Sequence, residues 1–440
     1  MSKHTDEITL PASSELAEEL IFLGLMQSRE VMLSGAGDLQ ISEDLMNFAG
    51  RMGYCITYSD CNIEMISAGE QRTDTETVQV ADKRDFFRKM LVLARSQTDA
   101  HLAVPKDIDS DFESELILYK RMGFDYDLIE RNGSRLCVPT RTGTPNIKYR
   151  LPAKSYHLLD SIICGTIASG CSVDLASPVE VHPTPIMTLP DIGIELLLQK
   201  DEQVEDELAR RLKRLRPSGK KKFRYTVQKH DITEPLRAIL PGDHLPGLFV
   251  VGVGCIRSAS GLIVRGFAKS ETISAFCRML GKMGVGITLR DSATEASGGT
   301  CEIALSTLDL TGKRFGGSDI RSCPESFAVL ATLGMFAAGK TVIRDLPFGS
   351  NLWRRRVGFV RDVLEQCGAR IGEVEDGLVV EKGVDSMMMS WVETVDPYCD
   401  LFQQMLSIAL QHHSSYCEPS HFKNSQLFHL YNVQPAETVS

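Results

Sequence analysis

Long apolar runs are missing from this sequence: none reaches the roughly 18 residues that a membrane-spanning helix requires. The first residues also lack the basic-then-apolar pattern of a secretory leader, so a cytoplasmic protein is expected. Positive charge is in short supply, with 48 Lys and Arg against 58 Asp and Glu. The resulting net charge of −10 argues against a nucleic-acid sleeve. Twelve cysteines are present, but none forms a C-x-x-C pair. Many sit in apolar settings, such as Ile162-Ile163-Cys164 and Ala275-Phe276-Cys277, and read as buried free thiols, with neither a disulfide framework nor a zinc site expected. His412, His413 and His421 form a cluster whose spacing matches no zinc pattern, so no metal is expected. What remains is ordinary globular material: 440 residues, 43% hydrophobic and 24% charged, enough for two or three domains of a soluble α/β protein.

What the chain does have is a recurring phrase. Arg51-Met52-Gly53, Arg121-Met122-Gly123, Asp191-Ile192-Gly193, Lys282-Met283-Gly284 and Gln366-Cys367-Gly368 each end a helical pattern on a glycine before a β-type run. A glycine there supplies the left-handed residue that closes a helix. The phrase returns about every 70 residues at first and about every 80–90 later, too long for a solenoid. Ser42 and Ser270 are suited to cap the helices before two of these glycines.

Each repeat reads as strand, helix, strand, helix, hairpin. The first runs from a strand at Glu7–Pro11, through a helix opened by Ser13 or Ser14, to strands near Tyr54 and Ile63. The second has its hairpin turn at Asn132-Gly133. Others are read from Ile147, from Phe223–Val227, from Gly317–Ile320 and, shortened, from Met387–Val395, making about six βαβαββ units. Between the third and fourth lies the basic run 210–224, which reads either as a solvated surface hairpin or as an attractor for an anionic ligand.

A six-fold repeat of this kind resembles the enolpyruvyl transferase family, and in particular its 5-enolpyruvylshikimate-3-phosphate synthase-like members. The stretch from Asp319 through Pro347, followed by Arg356, Val363–Ala369 and Asp376–Val380, is similar to that family's segment from a catalytic Pro-Asp to its Lys-Glu-x-Asp-Arg motif and beyond. Ile147–Ser155 is similar to the Tyr-x-x-Pro-x-x-Ser-Ala-Gln helix start, and Asp6–Glu15 to Leu-Pro-Gly-Ser-Lys-Ser.

The resemblance implies a two-domain inside-out α/β barrel, with one three-repeat domain over residues 16–228 and another over 1–15 plus 229–440. It implies transfer of an enolpyruvyl group from phosphoenolpyruvate to a phosphorylated alcohol in an interdomain cleft, without a cofactor, by a monomer or weak oligomer. Glu325 falls at the catalytic carboxylate, and Arg356, Arg355, Ser155, Lys154, His157, Arg84, Ser13 and Ser14 at substrate contacts. Several family cations are replaced: the lysine of Leu-Pro-Gly-Ser-Lys-Ser is absent from Leu10–Glu15, that of Lys-Glu-x-Asp-Arg aligns with Leu352, and the Asp-His-Arg helix start aligns with Tyr398-Cys399-Asp400.

Local readings stand beside these. Ser322 and Glu325 have capping-box spacing, Arg354–Arg356 suits a solvated helix start, and Ser155 an ordinary N-cap. The replaced cations leave a second functional reading open: a catalytically inactive descendant that binds a ligand or partner.

Overall fold

The computed structural model describes residues 7–68, 77–79, 101–103, 116–121 without 118, 126–131, 134–139, 147–150, 162, 173–177, 194–201, 222–229, 234–257, 261–292, 299–348, 351–381, 392–394 and 396–410. The chain divides into two compact units, one of residues 1–13 and 241–440 and one of residues 14–240.

Five four-stranded sheets occur among the described residues, and all are wired alike. In the unit of residues 14–240, β2 (Val31–Ser34), β3 (Tyr54–Ser59) and β4 (Asn62–Ser67) join β13 (Leu236–Ile239). Next come β5 (Thr77–Gln79), β6 (His101–Ala103), β7 (Tyr126–Arg131) and β8 (Ser134–Pro139), then β9 (Ile147–Arg150), β10 (Val173–Ser177), β11 (Ile194–Asp201) and β12 (Lys222–Lys229). The other unit builds one sheet from β1 (Glu7–Thr9), β14 (Ile263–Ala268), β15 (Val285–Asp291) and β16 (Thr300–Leu308). Its second sheet holds β17 (Arg314–Phe315), β18 (Thr341–Ile343), β19 (Arg370–Val374) and β20 (Gly377–Glu381). In every sheet a lone strand runs parallel to the next, and the closing hairpin is antiparallel.

Two assignments from the local pattern change once pairing is seen. Glu7–Thr9 pairs with β14, not with β2, whose parallel neighbour is β13 from more than 200 positions later. The second crossing between units therefore follows Leu240, later than a 228/229 boundary, because β13 belongs with β2. Phe223–Val227 does not open a fourth repeat: β12 lies antiparallel to both β10 and β11 and completes the third sheet. Residues 210–221 of the basic run lie outside the described residues, and its last three belong to β12, with Asp201 opposite Lys222. The fifth sheet starts at Arg314, slightly before the expected Gly317. The shortened sixth repeat lies mostly outside the described residues.

Helices form the centre of the unit containing residues 241–440. Helices α1 (Ser14–Met26) and α2 (Glu43–Arg51) belong to the other unit. Here α3 (His244–Ile256), α6 (Phe327–Phe336) and α8 (Pro397–Leu410) are buried almost all round and pack on one another, α3 and α6 being apolar on nearly every side. A helix hydrophobic on every side needs to be enclosed. At Gly252 on α3 the helices pack closely, since a Cβ would meet Met405 Sδ at 2.9 Å and Val329 Cγ1 at 3.0 Å and these side chains would have to shift. Outside them lie the amphipathic α4 (Glu271–Lys282), the short α5 (Ser318–Ser322), α7 (Asn351–Gln366) and the sheets. Strand β16 shows the period of two, turning Cys301, Ile303 and Leu305 inward.

At the three of its five positions that lie among the described residues the recurring glycine does what its position implies, while Gly123 and Gly193 lie outside them. Gly53, Gly284 and Gly368 follow α2, α4 and α7 with φ of 81°, 92° and 85°. Ser270 caps α4, its hydroxyl accepting from the Ile273 amide at 3.4 Å. Ser42 stands at the start of α2 without a side-chain cap bond, and its amide instead donates to Glu18 Oε1.

Candidate functional site

Three helix beginnings meet in the unit containing residues 241–440. The first is the 3-10 turn Pro324–Ser326 that leads into α6 and carries Glu325. The second is the first turns of α7, which carry Trp353 and Arg356. The third is the start of α8, where Asp396 precedes Pro397. Asp396 caps this helix, its Oδ1 accepting the Tyr398 amide at 3.0 Å. Proline at the first helical position gives up an N–H that has no helical partner there.

Arg356 ties the second beginning to the third. Its Nε donates to Asp396 Oδ2 at 2.7 Å and its Nη2 to Oδ1 at 3.0 Å, a side-on fork that leaves Nη1 outside it. The guanidinium lies 4.8 Å from the Tyr398 ring centroid and 5.4 Å from that of Trp353. Its side chain is only 18% exposed, so it is no solvated helix start; Arg354 and Arg355 do point outward, and Arg354 Nε donates to the Phe348 carbonyl. Burial alone would lower the Arg356 pKa, but the Asp396 hydrogen bonds and charge, with help from Tyr398 and Glu325, raise it, and the cation is secured.

Tyr398 ties the third beginning to the first. Its hydroxyl donates to the Glu325 carbonyl at 2.6 Å and hydrogen-bonds the Ala328 backbone at the start of α6. The ring is fully buried, stacked on Phe327 at 5.6 Å and edge-on to Phe249 at 5.5 Å. Burial, ahead of all other causes, pushes its hydroxyl well above the ordinary tyrosine range, so it stays protonated and donates. The capping box is not made. Ser322 is the last residue of α5, and its buried hydroxyl has no hydrogen-bond partner among the described residues. Ser326 instead donates to the Cys323 carbonyl.

Of the residues singled out from sequence, Glu325 and Arg356 come together here, close enough for their charges to act on one another. Ser13 is buried beside the first crossing between units, its amide donating to Pro241 O, and Ser14 opens α1 at the surface. Ser155, Lys154, His157, Arg84 and the histidine cluster lie outside the described residues. Sequence reading missed Asp396 and Tyr398. The signal was Asp396-Pro397, an N-cap followed by proline, which starts the helix one position before the expected Tyr398.

Comparison with known proteins bears on the same region. Residues 218–398 match the family model for EPSP synthase (3-phosphoshikimate 1-carboxyvinyltransferase), a span that contains Glu325, Arg356, Asp396 and Tyr398. Over this span, which is less than half of its length, the chain is similar to the enolpyruvyl transferase family. Among this family's curated members, a 3-phosphoshikimate 1-carboxyvinyltransferase of Streptococcus sanguinis is 27% identical over 58% of this chain and 53% of its own length. One of Salinibacter ruber is 24% identical over 63% of this chain and 59% of its own. The matches thus span little more than half of these relatives. Over 92% of the chain, the fold is that of EPSP synthase from Acinetobacter baumannii, with a TM-score of 0.60 at 15% identity and 88% of that chain covered. The enolpyruvyl transferase NikO from Streptomyces tendae aligns over the same shares at a TM-score of 0.58 and 15% identity. The architecture is therefore the two-domain inside-out α/β barrel of this transferase family.

Proposed function

We propose that this protein is an enzyme that transfers the carboxyvinyl group of phosphoenolpyruvate to a hydroxyl of a phosphorylated small molecule. Shikimate 3-phosphate is the first acceptor to test, since the matched relatives are named for that reaction. Such activity would belong to the shikimate pathway of aromatic amino acid biosynthesis.

The observation that carries the reading is the pose of Arg356. Asp396 takes the Nε/Nη2 edge, and that fixes the plane of the guanidinium and leaves the Nη1 end as a grip for an oxyanion. Three helix N-termini at the same place add partial positive charge, each worth about half a unit. Glu325 stands beside this grip as the candidate proton-transfer group. In the reaction the acceptor hydroxyl gives up its proton as its oxygen bonds to C2 of phosphoenolpyruvate, while C3 gains a proton. The tetrahedral adduct then expels phosphate from C2 as C3 loses a proton, which restores the double bond. A carboxylate within reach serves these proton movements, and a fixed cation stabilises the charge they create. Ser155, Lys154, His157, Arg84, Arg355, Ser13 and Ser14 are the proposed further contacts for the two anionic substrates.

A second reading has its own support: the resemblance sets Tyr398-Cys399-Asp400 against the family's Asp-His-Arg, without its cations, and no lysine is present in Leu10–Glu15. On that reading the protein binds a ligand without turning it over. Mass spectrometry of shikimate 3-phosphate incubated with phosphoenolpyruvate and the purified protein separates the two. The transferase reading expects an added carboxyvinyl group, reduced about 10²–10³-fold by Arg356→Ala and strongly by Glu325→Gln. Phosphoenolpyruvate that raises the melting temperature while the acceptor stays unmodified supports the binding module instead.

A further inference from the structure

We propose that the first turn of α8 is a positioning clamp for both proposed reactive groups, and that Tyr398 is its half that sets Glu325. This rests on the transferase reading above. Asp396 and Tyr398 are two residues apart at one helix start, yet each holds a different partner. Asp396 grips Arg356 through its carboxylate, and Tyr398 grips the Glu325 carbonyl and the Ala328 backbone through its hydroxyl. Within its own segment the turn of Glu325 is held by Ser326, whose hydroxyl and amide donate to the Cys323 carbonyl at 2.6 and 3.2 Å, while Ser322 makes no capping box and Ser326 gives α6 no side-chain cap bond. The hydroxyl of Tyr398 therefore does from another helix what a local cap does elsewhere, linking the carbonyl of one turn to the first turn of the next. Its ring, stacked on Phe327 with an interplanar angle of 11° and buried completely, cannot swing away. The separation between the proton-transfer carboxylate and the oxyanion grip is thus set by α8, although neither group lies on it.

The clamp separates the roles of its two ends. Tyr398→Phe keeps the ring, the Arg356 contact and the Asp396 fork but releases the Glu325 turn. In the full-length protein, hydrogen exchange read by mass spectrometry is expected to speed up about tenfold or more over residues 325–328, with α7 unchanged. With phosphoenolpyruvate and shikimate 3-phosphate, kcat is expected to fall about 10–100-fold while KM for phosphoenolpyruvate stays within about threefold. Asp396→Asn is expected to do the reverse, chiefly raising that KM. Phe249→Leu, which trims the edge contact to the Tyr398 ring and leaves the hydroxyl in place, serves as a packing control and is expected to leave exchange at 325–328 unchanged.

Unchanged exchange at 325–328 in Tyr398→Phe would overturn the clamp whatever the activity. So would equal losses of kcat and of phosphoenolpyruvate affinity, or faster exchange of the same size in Phe249→Leu. Faster exchange in a protein whose wild type shows no turnover would uphold the clamp's geometry and reject the transferase reading on which its catalytic purpose rests.

Discussion

Arg356 is the residue on which both stability and the proposed activity converge. Its guanidinium is forked to Asp396 and lies against two rings, and lysine can reproduce neither the fork nor the stacking. Arg356→Ala is expected to lower the free energy of unfolding in urea, toward the low end of the about 3–5 kcal/mol seen when one partner of a buried pair is removed, because both side chains keep some water contact. Asp319 makes a contrasting case. Burial works to raise its pKa, but hydrogen bonds from Lys282 and Arg278 outweigh burial and hold it below the ordinary carboxylate range. A folded pKa below the unfolded one stabilises the fold above about pH 3.9, and that stabilisation is lost as pH falls through the folded value. Asp319→Asn is therefore expected to lose stability at neutral pH and to show a flatter acid limb in pH-dependent urea melts. Sequence pointed to Glu325 and Arg356 because each stands in a dense local motif. It missed Asp396 because an ion pair across 40 positions leaves no mark in either local pattern.

At the scale of elements, what could be read was whatever one segment decides for itself. Gly284 needs a φ of 92°, and a Cβ there would fall 2.1 Å from the Asp309 carbonyl oxygen. Gly284→Ala is expected to cost about 2–4 kcal/mol, from left-handed strain and backbone displacement together, measured by denaturant unfolding. Ser270→Ala should cost about 1 kcal/mol through loss of the α4 cap. What could not be read was partnership. Phe223–Val227 has the composition of any strand, and only its antiparallel register with β10 and β11 makes it the last of one sheet instead of the first of another. The same holds for Glu7–Thr9, which looks local to α1 yet pairs beyond residue 260.

For the molecule as a whole, the chain crosses between units twice, and each crossing leaves a strand behind: β1 stays with residues 241–440 and β13 with residues 14–240. Deleting residues 1–10 removes buried Ile8 and Leu10, each worth about 1.5–3 kcal/mol of burial, and strips β14 of its parallel neighbour. The expected outcome is a calorimetric transition that drops for the unit of residues 241–440 and holds for the other. The similarity to EPSP synthase says which reaction to look for, and the proposed anion grip centres on Arg356. The most direct test is phosphate release from phosphoenolpyruvate with shikimate 3-phosphate as acceptor, compared between wild type and Arg356→Ala. Release by the wild type that the substitution reduces at least about 100-fold is the predicted result. Equal release from both proteins, or none from the wild type, would contradict the account.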